Sequence, residues 1–362
     1  MPLNLSLKES NAMIQLPRLT KPIFTAIVTA LTCSSLHAQT TPELNLYSAR
    51  HYQTDEALYA NFTKTTGIKI NRFEAGDEQV LEKLRSEGKA SKADVILLVD
   101  AARLWKAQTE GLFQPVKSAI LDTRIPANLR GNDEGKGAQW YGISTRARVI
   151  VYNKANVNAD QVRNYEDLAA PAMKGKVCTR SGTHPYMLSW IGSMSEHLGE
   201  QKTQAWAQGV VDNFARKPRG GDTDQIKAVA IGECGVAVTN TYYLVRLMRS
   251  TDPADKDTVS KIGIIWPNQA STGTHFNISG AGVAANSPNR SAAVKFVEYL
   301  TSDTAQAFLA EGNNEWPVVK SVKMNNPQLT SLGEYKADQT PIASIGRAQI
   351  AAQRIVDRAG WR

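Results

Sequence analysis

The sequence predicts an α/β fold divided between two lobes, each a mostly parallel sheet flanked by helices. Strand-like and helix-like segments alternate along most of the chain, which is typical of parallel sheets covered by helices. Hydrophobic residues make up 42% of the 362 residues and charged residues 21%, an ordinary globular composition. A removable leader leaves roughly 320 residues, enough for two domains of about 150 residues each.

The N-terminal part gives the clearest alternation. Residues 43–48 alternate between polar and apolar side chains, which predicts a strand. Leu58, Tyr59 and Phe62 then recur at helical spacing, and Gly67 ends the helix that they define. The same order continues through predicted strands at 68–73 and 94–99 and predicted helices at 55–65, 77–86 and 101–110.

The second part repeats the alternation around two arginines. Arg146 and Arg148 lie between predicted strands, and their i, i+2 spacing on an extended chain directs both side chains to one side. Asp100 is predicted to cap one helix, and Asp222 to cap another with Gln225 three residues later. Further strands are predicted at 141–144, 149–152, 175–179, 234–238, 262–267 and 276–284, and helices at 165–169, 186–198, 203–216, 222–231, 242–250, 291–301, 303–311 and 342–359.

Each predicted lobe is discontinuous in sequence. Lobe 1 comprises residues 41–141 plus 278–318, and lobe 2 comprises residues 142–277 plus 319–362. The chain therefore crosses between lobes near residues 142–151 and again near residues 277–282, where a hinge is expected. Ligands of open α/β sheets bind beyond the carboxyl ends of the strands. The cleft between the lobes is thus the expected site.

The first 38 residues predict a secretory signal peptide. Arg18 and Lys21 precede an apolar segment at residues 23–31, and Ala38 provides a small residue for cleavage. The apolar segment is too short for a membrane anchor. Since the leader is long, Met13 is an alternative start to Met1. We expect the mature protein to be periplasmic.

The three cysteines fit an exported protein. Cys33 lies in the leader behind a poor lipobox, so a lipid anchor is not expected. Cys178 and Cys234 each lie at a strand-like segment. An oxidising compartment permits a bond between them, but two buried free thiols fit the sequence equally well.

Charge and motif content argue against other function classes. The formal net charge is +8, but without long basic runs or a recognisable nucleic-acid motif no nucleic-acid partner is expected. The sequence contains no nucleophile elbow, phosphate-binding loop or HExxH motif, so an enzyme is not predicted. Three cysteines cannot form a zinc ribbon.

Four tyrosines and one histidine follow predicted strand ends. These residues are His51, Tyr52, Tyr186, Tyr242 and Tyr243. Phenolate oxygen is a hard anionic donor, which suits small, highly charged cations such as Fe³⁺. A trivalent ion can ionise phenols whose usual pKa is about 10. The alternative is a protein of the same fold that binds another small organic anion or cation, with the tyrosines stacking or hydrogen-bonding.

Four segments resemble the periplasmic ferric-iron-binding proteins of ABC importers. They are residues 46–52 with the His-Tyr pair, 145–154, 240–243 with the tandem tyrosines, and 274–280. The resemblance extends over most of residues 43–320. It implies a type II periplasmic binding protein fold that holds one Fe³⁺ and delivers it to an ABC transporter permease in the inner membrane. We expect the protein to be a monomer.

The resemblance also implies a set of site residues. Tyr242 and Tyr243 match the family's tandem ligands, and Tyr52 and Tyr186 match the additional tyrosines of one subgroup. The adjacent histidine, His51, either binds the metal or stands aside. Carbonate or no anion is expected beside the metal, because a tyrosine stands at 186. The residues expected to hold such an anion or balance the charge are Arg146, Arg148, Ser181, Gly182 and Asn240. His184 and His275 are expected to be hydrogen-bonding loop residues.

Overall fold

The computed structural model of the protein describes residue 13 and residues 42–50, 52–131 and 134–362. The predicted cleavage site, Cys33 and His51 lie outside the described residues. In the parts of the chain that the structure describes, no helix is both long and apolar enough to cross a membrane.

The strands form one mixed sheet. They are β1 (Glu43–Ser48), β2 (Lys69–Glu74), β3 (Val95–Leu98), β4 (Tyr141–Asn153), β5 (Val177–Cys178), β6 (Val236–Asn240), β7 (Ile262–Ile265), β8 (Phe276–Val283) and β9 (Trp316–Pro317). The order across the sheet is β2-β1-β3-β8-β4-β6-β5, and β7 and β9 also pair with β4.

Helices cover both faces of this sheet. They are α1 (Asp55–Thr66), α2 (Asp77–Glu87), α3 (Ala101–Thr109), α4 (Ala119–Arg124), α5 (Pro185–Leu198), α6 (Glu200–Asp212), α7 (Asp222–Ala230), α8 (Thr241–Arg249), α9 (Pro253–Lys261), α10 (Arg290–Leu300), α11 (Asp303–Asn313), α12 (Pro327–Thr330), α13 (Ile342–Arg347) and α14 (Gln349–Ala359). Short 3₁₀ turns lie at Gly88–Ala90, Ala127–Leu129, Ala159–Gln161, Glu166–Ala169 and Pro171–Met173.

The α/β class is confirmed, but the sheet is mixed rather than mostly parallel. β1 pairs in parallel with β2 and β3, and β5 pairs in parallel with β6, as expected from the strand–helix alternation. β8 is antiparallel to β3 and β4, and β4 is antiparallel to β6, β7 and β9. The difference arises because β4 and β8 run back through the middle of the sheet.

The long strand β4 replaces the two strands predicted on either side of the arginines. Its first part, residues 141–147, pairs with β8, and residues 148–152 pair with β6. Arg146 and Arg148 are buried within it, each 1% exposed. Two charged residues within an apolar run suggested a break between two strands. One strand continues instead, because partners from other elements pair with the buried arginines.

The two lobes are built on separate hydrophobic cores. The first lobe packs around β1, β2 and β3, where Leu46, Ile96 and Phe62 are fully buried. The second lobe packs around β5, β6 and β7. A group of tryptophans forms much of its core, with Trp190 perpendicular to Trp206 at 5.1 Å between ring centroids. Such aromatic pairs contribute beyond their buried area.

Local sequence chemistry accounts for the helix ends. Asp100 caps α3 as predicted, since its Oδ1 accepts from the backbone N–H groups of Ala102 at 2.9 Å and Arg103 at 3.3 Å. Gly67 ends α1 in the left-handed region, with φ 72°. The predicted cap at Asp222 is wrong. Gly221 precedes α7, and the carboxylate of Asp224 accepts from the Gly221 N–H at 2.7 Å.

The single C-terminal helix predicted at 342–359 is instead two helices. The chain turns at Ala348, between α13 and α14. The shorter helix, α13, packs against α3 of the first lobe and α5 of the second. Gly346 allows this close approach, because a Cβ there would lie 2.3 Å from Cγ of Trp105. The break therefore lets one short helix contact both lobes.

Cys178 and Cys234 form a disulfide, with Cα atoms 5.8 Å apart. Cys178 ends β5, and Cys234 lies just before β6, the parallel neighbour of β5. Both side chains are buried among Val151, Ile226 and Ala237. Of the two alternatives that the sequence left open, a disulfide or two free thiols, the structure therefore has the disulfide.

Candidate metal centre

Three segments bring four tyrosines together. Tyr52 lies between β1 and α1, Tyr186 in the first turn of α5, and Tyr242 and Tyr243 in the first turn of α8, directly after β6. Each segment connects the carboxyl end of a strand to the start of a helix. These ends meet near the middle of β4, where its pairing passes from β8 to β6. Residues 52, 186 and 243 line a common pocket of about 500 Å³.

The tyrosine rings are in close contact. The ring centroids of Tyr242 and Tyr243 are 4.1 Å apart, and those of Tyr52 and Tyr242 are 6.3 Å apart in an edge-to-face arrangement. The charge of an ionised Tyr186 would act on both tandem tyrosines. The hydroxyl of Tyr242 is buried and has no well-formed hydrogen bond among the described residues. A buried phenol oxygen in that position is available to a ligand.

Burial keeps the phenols of Tyr52, Tyr186 and Tyr242 protonated when no metal is bound. It raises the pKa of Tyr52 to about 12, helped by the negative charge of Glu315. Burial likewise raises the pKa of Tyr186 and of Tyr242 well above the usual range, and each neighbouring phenolate would raise it further. Removing several of these protons at neutral pH needs a strong positive charge at the centre of the cluster.

Arg146 supplies a permanent positive charge at this cluster. Its guanidinium carbon lies 5.3 Å from the ring centroid of Tyr186, and the side chain is fully buried. It donates to Ser279 Oγ at 3.2 Å and to the carbonyl of Val99. Its charge lowers the pKa of Tyr52, Tyr186 and Tyr242, against the larger effect of burial. Arg146 therefore lies beside the tyrosines, and its role toward an anion or the charge of a bound metal stays a prediction.

A buried network of ion pairs lies next to Tyr52, and it was not predicted from the sequence. Arg50 forms ion pairs with Asp55 at 3.0 Å and Glu315 at 2.9 Å, and its guanidinium carbon lies 4.9 Å from the Tyr52 ring centroid. Ser144 on β4 also donates to Glu315, at 2.8 Å. Arg50 stands two residues before Tyr52, which could have drawn attention to it. Nothing in the sequence around Glu315 indicates its partner.

Arg148 has a different environment from Arg146. It forms an ion pair with buried Asp222 at 2.8 Å and donates to Asn240 Oδ1 at 3.1 Å. Asp222 also accepts from Arg180 at 3.2 Å and from the Asn240 N–H at 2.8 Å. Arg148 is thus paired with a carboxylate inside the second lobe, and its role toward an anion stays a prediction.

The predicted anion-binding residues also have protein partners. Ser181 Oγ lies 2.9 Å from Thr183 Oγ1, and the Gly182 N–H donates to the carbonyl of Trp361 at 3.2 Å. A Cβ at Gly182 would lie 2.7 Å from that carbonyl oxygen. Asn240 Oδ1 accepts from Arg148 as described above, and its Nδ2 has no hydrogen bond among the described residues. The role of these residues toward an anion stays a prediction.

The histidines differ in how they relate to the tyrosines. His51 lies outside the described residues. His184 caps α5, where its Nδ1 accepts from the Tyr186 N–H at 3.2 Å, and burial together with Arg180 lowers its pKa to about 3. Burial also lowers the pKa of His275 to about 3. Its two ring nitrogens have no hydrogen bond among the described residues, so only His184 fits the expected hydrogen-bonding role.

No group of three or more His, Cys, Asp or Glu side chains suited to a metal ion occurs in the described part of the chain. Zinc and copper sites are usually built from such residues. The tyrosine cluster is therefore the donor set to consider, and its chemistry favours a hard cation.

Comparisons with known proteins identify the family of the chain. The chain matches the family described as bacterial extracellular solute-binding protein over residues 57–337. It is 48% identical over 320 residues to iron uptake protein A1 of Synechocystis, covering 88% of each chain. It is 44% identical over 340 residues to iron uptake protein A2 of the same organism, covering 92% of this chain and 95% of the relative.

Solved structures give the same result for the fold. The Trichodesmium protein IdiA, also called FutA, in complex with iron and citrate ligands, superposes with a TM-score of 0.82 at 47% identity. It matches 88% of this chain and 100% of its own. A ferric binding protein from Campylobacter jejuni superposes with a TM-score of 0.83 at 40% identity and the same coverage. The two-lobed type II periplasmic binding protein fold is thereby confirmed.

Proposed function

The chain belongs to the bacterial extracellular solute-binding protein family, and we propose that it captures Fe³⁺ between its lobes and delivers it to an ABC importer. The observation that carries the proposal is the convergence of Tyr52, Tyr186, Tyr242 and Tyr243 beside buried Arg146. Similarity to proteins named for iron uptake and ferric binding supports the same metal.

Charge balance explains why a trivalent ion suits this site. Four phenolates around Fe³⁺ leave a net charge of about −1, and Arg146 offsets it within a buried environment. Because the phenols are protonated without metal, each one that binds iron releases a proton. His51 adds a neutral donor if it binds. A carbonate or another small anion would fill any coordination position left open toward the pocket.

We further propose that the lobes close over the ion about the two long crossing strands. The proposed lobes are residues 41–141 plus 278–318 and residues 142–277 plus 319–362. Tyr52 then comes from lobe 1 and the other three tyrosines from lobe 2. Since β4 and β8 pair with each other and join strands of both lobes, small dihedral changes along them would open the cleft. An ion that binds ligands from both sides favours the closed form.

Location and partner follow from the same proposal. Residues 1–38 would act as the secretory signal peptide, and the mature protein would work in the periplasm as a monomer. An ABC transporter permease in the inner membrane would receive the iron. Proteins of this family bind solutes for transport, and no enzymatic step is proposed.

A visible absorption titration with ferric citrate tests the proposal. The wild type should develop a broad tyrosinate-to-iron band that saturates at one iron per chain. The combined Tyr242→Phe and Tyr243→Phe variant should lose it. Tyr47→Phe is the matched control, because its hydroxyl bonds Glu87 at 3.0 Å in the first-lobe core, away from the pocket.

The same titration separates the iron proposal from the alternative solute. Tyrosines that only stack on or hydrogen-bond to an organic ligand give no visible band. Absence of the band in the wild type at excess ferric citrate would overturn the ferric proposal and favour a colourless anion or cation in the same pocket. Loss of the band in Tyr47→Phe would mean that the signal does not come from this cluster.

A further inference from the structure

A buried carboxylate connects the two lobes close to the tyrosines. Asp100 stands at the start of α3 in the first lobe and is fully buried. Beyond capping its own helix, it accepts from the hydroxyl of Ser189 on α5 of the second lobe, at 3.0 Å and 2.9 Å to its two oxygens. Ser189 is also fully buried. One side chain thus ends a helix in one lobe and holds a helix of the other.

The crossing strand β8 takes part in the same cluster. Asn277 on β8 donates from Nδ2 to Asp100 Oδ2 at 2.7 Å. Its Oδ1 accepts from the backbone N–H groups of Ala101 at 2.9 Å and Ile278 at 2.8 Å. The start of α3, a residue of the crossing strand and the middle of α5 are therefore joined by hydrogen bonds to one carboxylate. Bonds to an ionised acceptor are stronger than neutral ones.

Ser189 is coupled to the tyrosine site through its own helix. It follows Tyr186 by three residues on α5, and residues at that spacing lie on neighbouring positions of one helix face. The ring of Tyr186 packs against the core of the first lobe. One face of α5 therefore carries both a proposed iron ligand and a hydroxyl anchored to the opposite lobe.

We propose that Ser189 and Asp100 form an interlobe lock that positions Tyr186 and slows the loss of bound iron. Ser189 is a positioning residue, since it acts on the metal through the placement of α5. The lock can open without leaving the Asp100 carboxylate without hydrogen-bond donors. When the lobes separate, Asp100 keeps its bonds to the backbone N–H groups of Ala102 and Arg103 and gains water in place of Ser189. This inference rests on the proposed function, because it concerns retention of iron.

The chain offers a closely matched control on the same helix. Ser193 lies one turn after Ser189, is also buried, and donates to a carboxylate, Asp338 Oδ2, at 2.6 Å. In the proposed lobes both Ser193 and Asp338 belong to lobe 2. Ser193→Ala therefore removes the same kind of bond within one lobe, and Ser189→Ala removes it between lobes.

Stopped-flow release of iron to an excess of a ferric chelator, followed at the visible band, tests the lock. Ser189→Ala should release iron about tenfold faster than the wild type, which corresponds to 1.4 kcal/mol. Its band maximum should be unchanged, because the donor set is intact. Ser193→Ala should release iron within about twofold of the wild-type rate.

The outcomes separate this inference from the proposed function. A wild type without any visible band would remove the proposed function and, with it, the inference. A normal band with equal release rates in Ser189→Ala and Ser193→Ala would overturn the lock alone. Thermal unfolding of the iron-free variants identifies a general loss of stability. If Ser189→Ala is destabilised without iron as much as Ser193→Ala and releases iron no faster, its role is structural only.

Discussion

Replacing Arg146 by methionine should weaken iron binding by about a hundredfold. The iron-free tyrosines are neutral, so Arg146 gains little from them, and its ion pair with Glu315 at 4.0 Å does not depend on iron. The iron-bound cluster carries about −1, and the guanidinium carbon lies 5.3 Å from the Tyr186 ring centroid. At an effective dielectric constant of about 20, a unit charge pair at that separation is worth about 3 kcal/mol, or about two orders of magnitude in affinity.

Competition titrations against a ferric chelator measure this loss. Arg146→Lys keeps the charge and should retain most of the affinity, which separates electrostatics from packing. Thermal unfolding of the iron-free protein should accompany both variants, since Arg146 also donates to Ser279. Wild-type affinity in Arg146→Met would refute the charge-balance reasoning. An equal loss in Arg146→Lys and Arg146→Met would show that shape, and not charge, is what matters.

Four other outcomes follow from the same structure. Acid should release iron, because each phenolate ligand must be reprotonated when the metal leaves. Chelator competition should show that the affinity for free Fe³⁺ falls about tenfold for each pH unit and for each proton released on binding. Tyr52 has a pKa near 12 when folded and about 10 when unfolded. Iron-free stability in urea should therefore be intact below pH 10 and fall between pH 10 and 12, with Tyr52 alone contributing about 2–3 kcal/mol beside the other buried tyrosines. Tyr52→Phe should lessen the fall by that amount; identical profiles in the two proteins would contradict the shift. Replacing both Cys178 and Cys234 by alanine should cost about 4 kcal/mol of unfolding free energy, as expected for a loop of this length, without changing the iron stoichiometry. Asp222→Asn should lower the free energy of unfolding by about 3–5 kcal/mol, because it leaves Arg148 as a buried charge; an unchanged urea midpoint would argue against this pairing.

Periodicity predicted most elements because each depends on local chemistry. The strand at 43–48 and the helix ended by Gly67 follow from alternation and from a glycine that adopts positive φ. Errors arose where tertiary contacts decide. Two strands were expected around Arg146 and Arg148, but partners from distant elements allow one strand to continue. The last helix breaks at Ala348 because α13 packs between lobes.

The candidate site likewise has one part that the sequence predicted and one part that it did not. Tyrosines at strand ends could be identified from sequence because the fold class predicts where strand ends meet. The partner of a buried charge could not be. Asp222 was interpreted as a helix cap, and it binds Arg148, which is 74 positions away in the chain. Glu315 meets Arg50 across 265 positions, and nothing in the local sequence pattern around either residue encodes that pairing.

The most direct test of the central claim is a crystal structure of the iron-loaded protein with data collected on both sides of the iron absorption edge. We predict one strong anomalous peak within bonding distance of the hydroxyl oxygens of Tyr52, Tyr186, Tyr242 and Tyr243, with the Arg146 guanidinium beside it. A peak elsewhere, or one that the four phenol oxygens do not surround, would contradict the account.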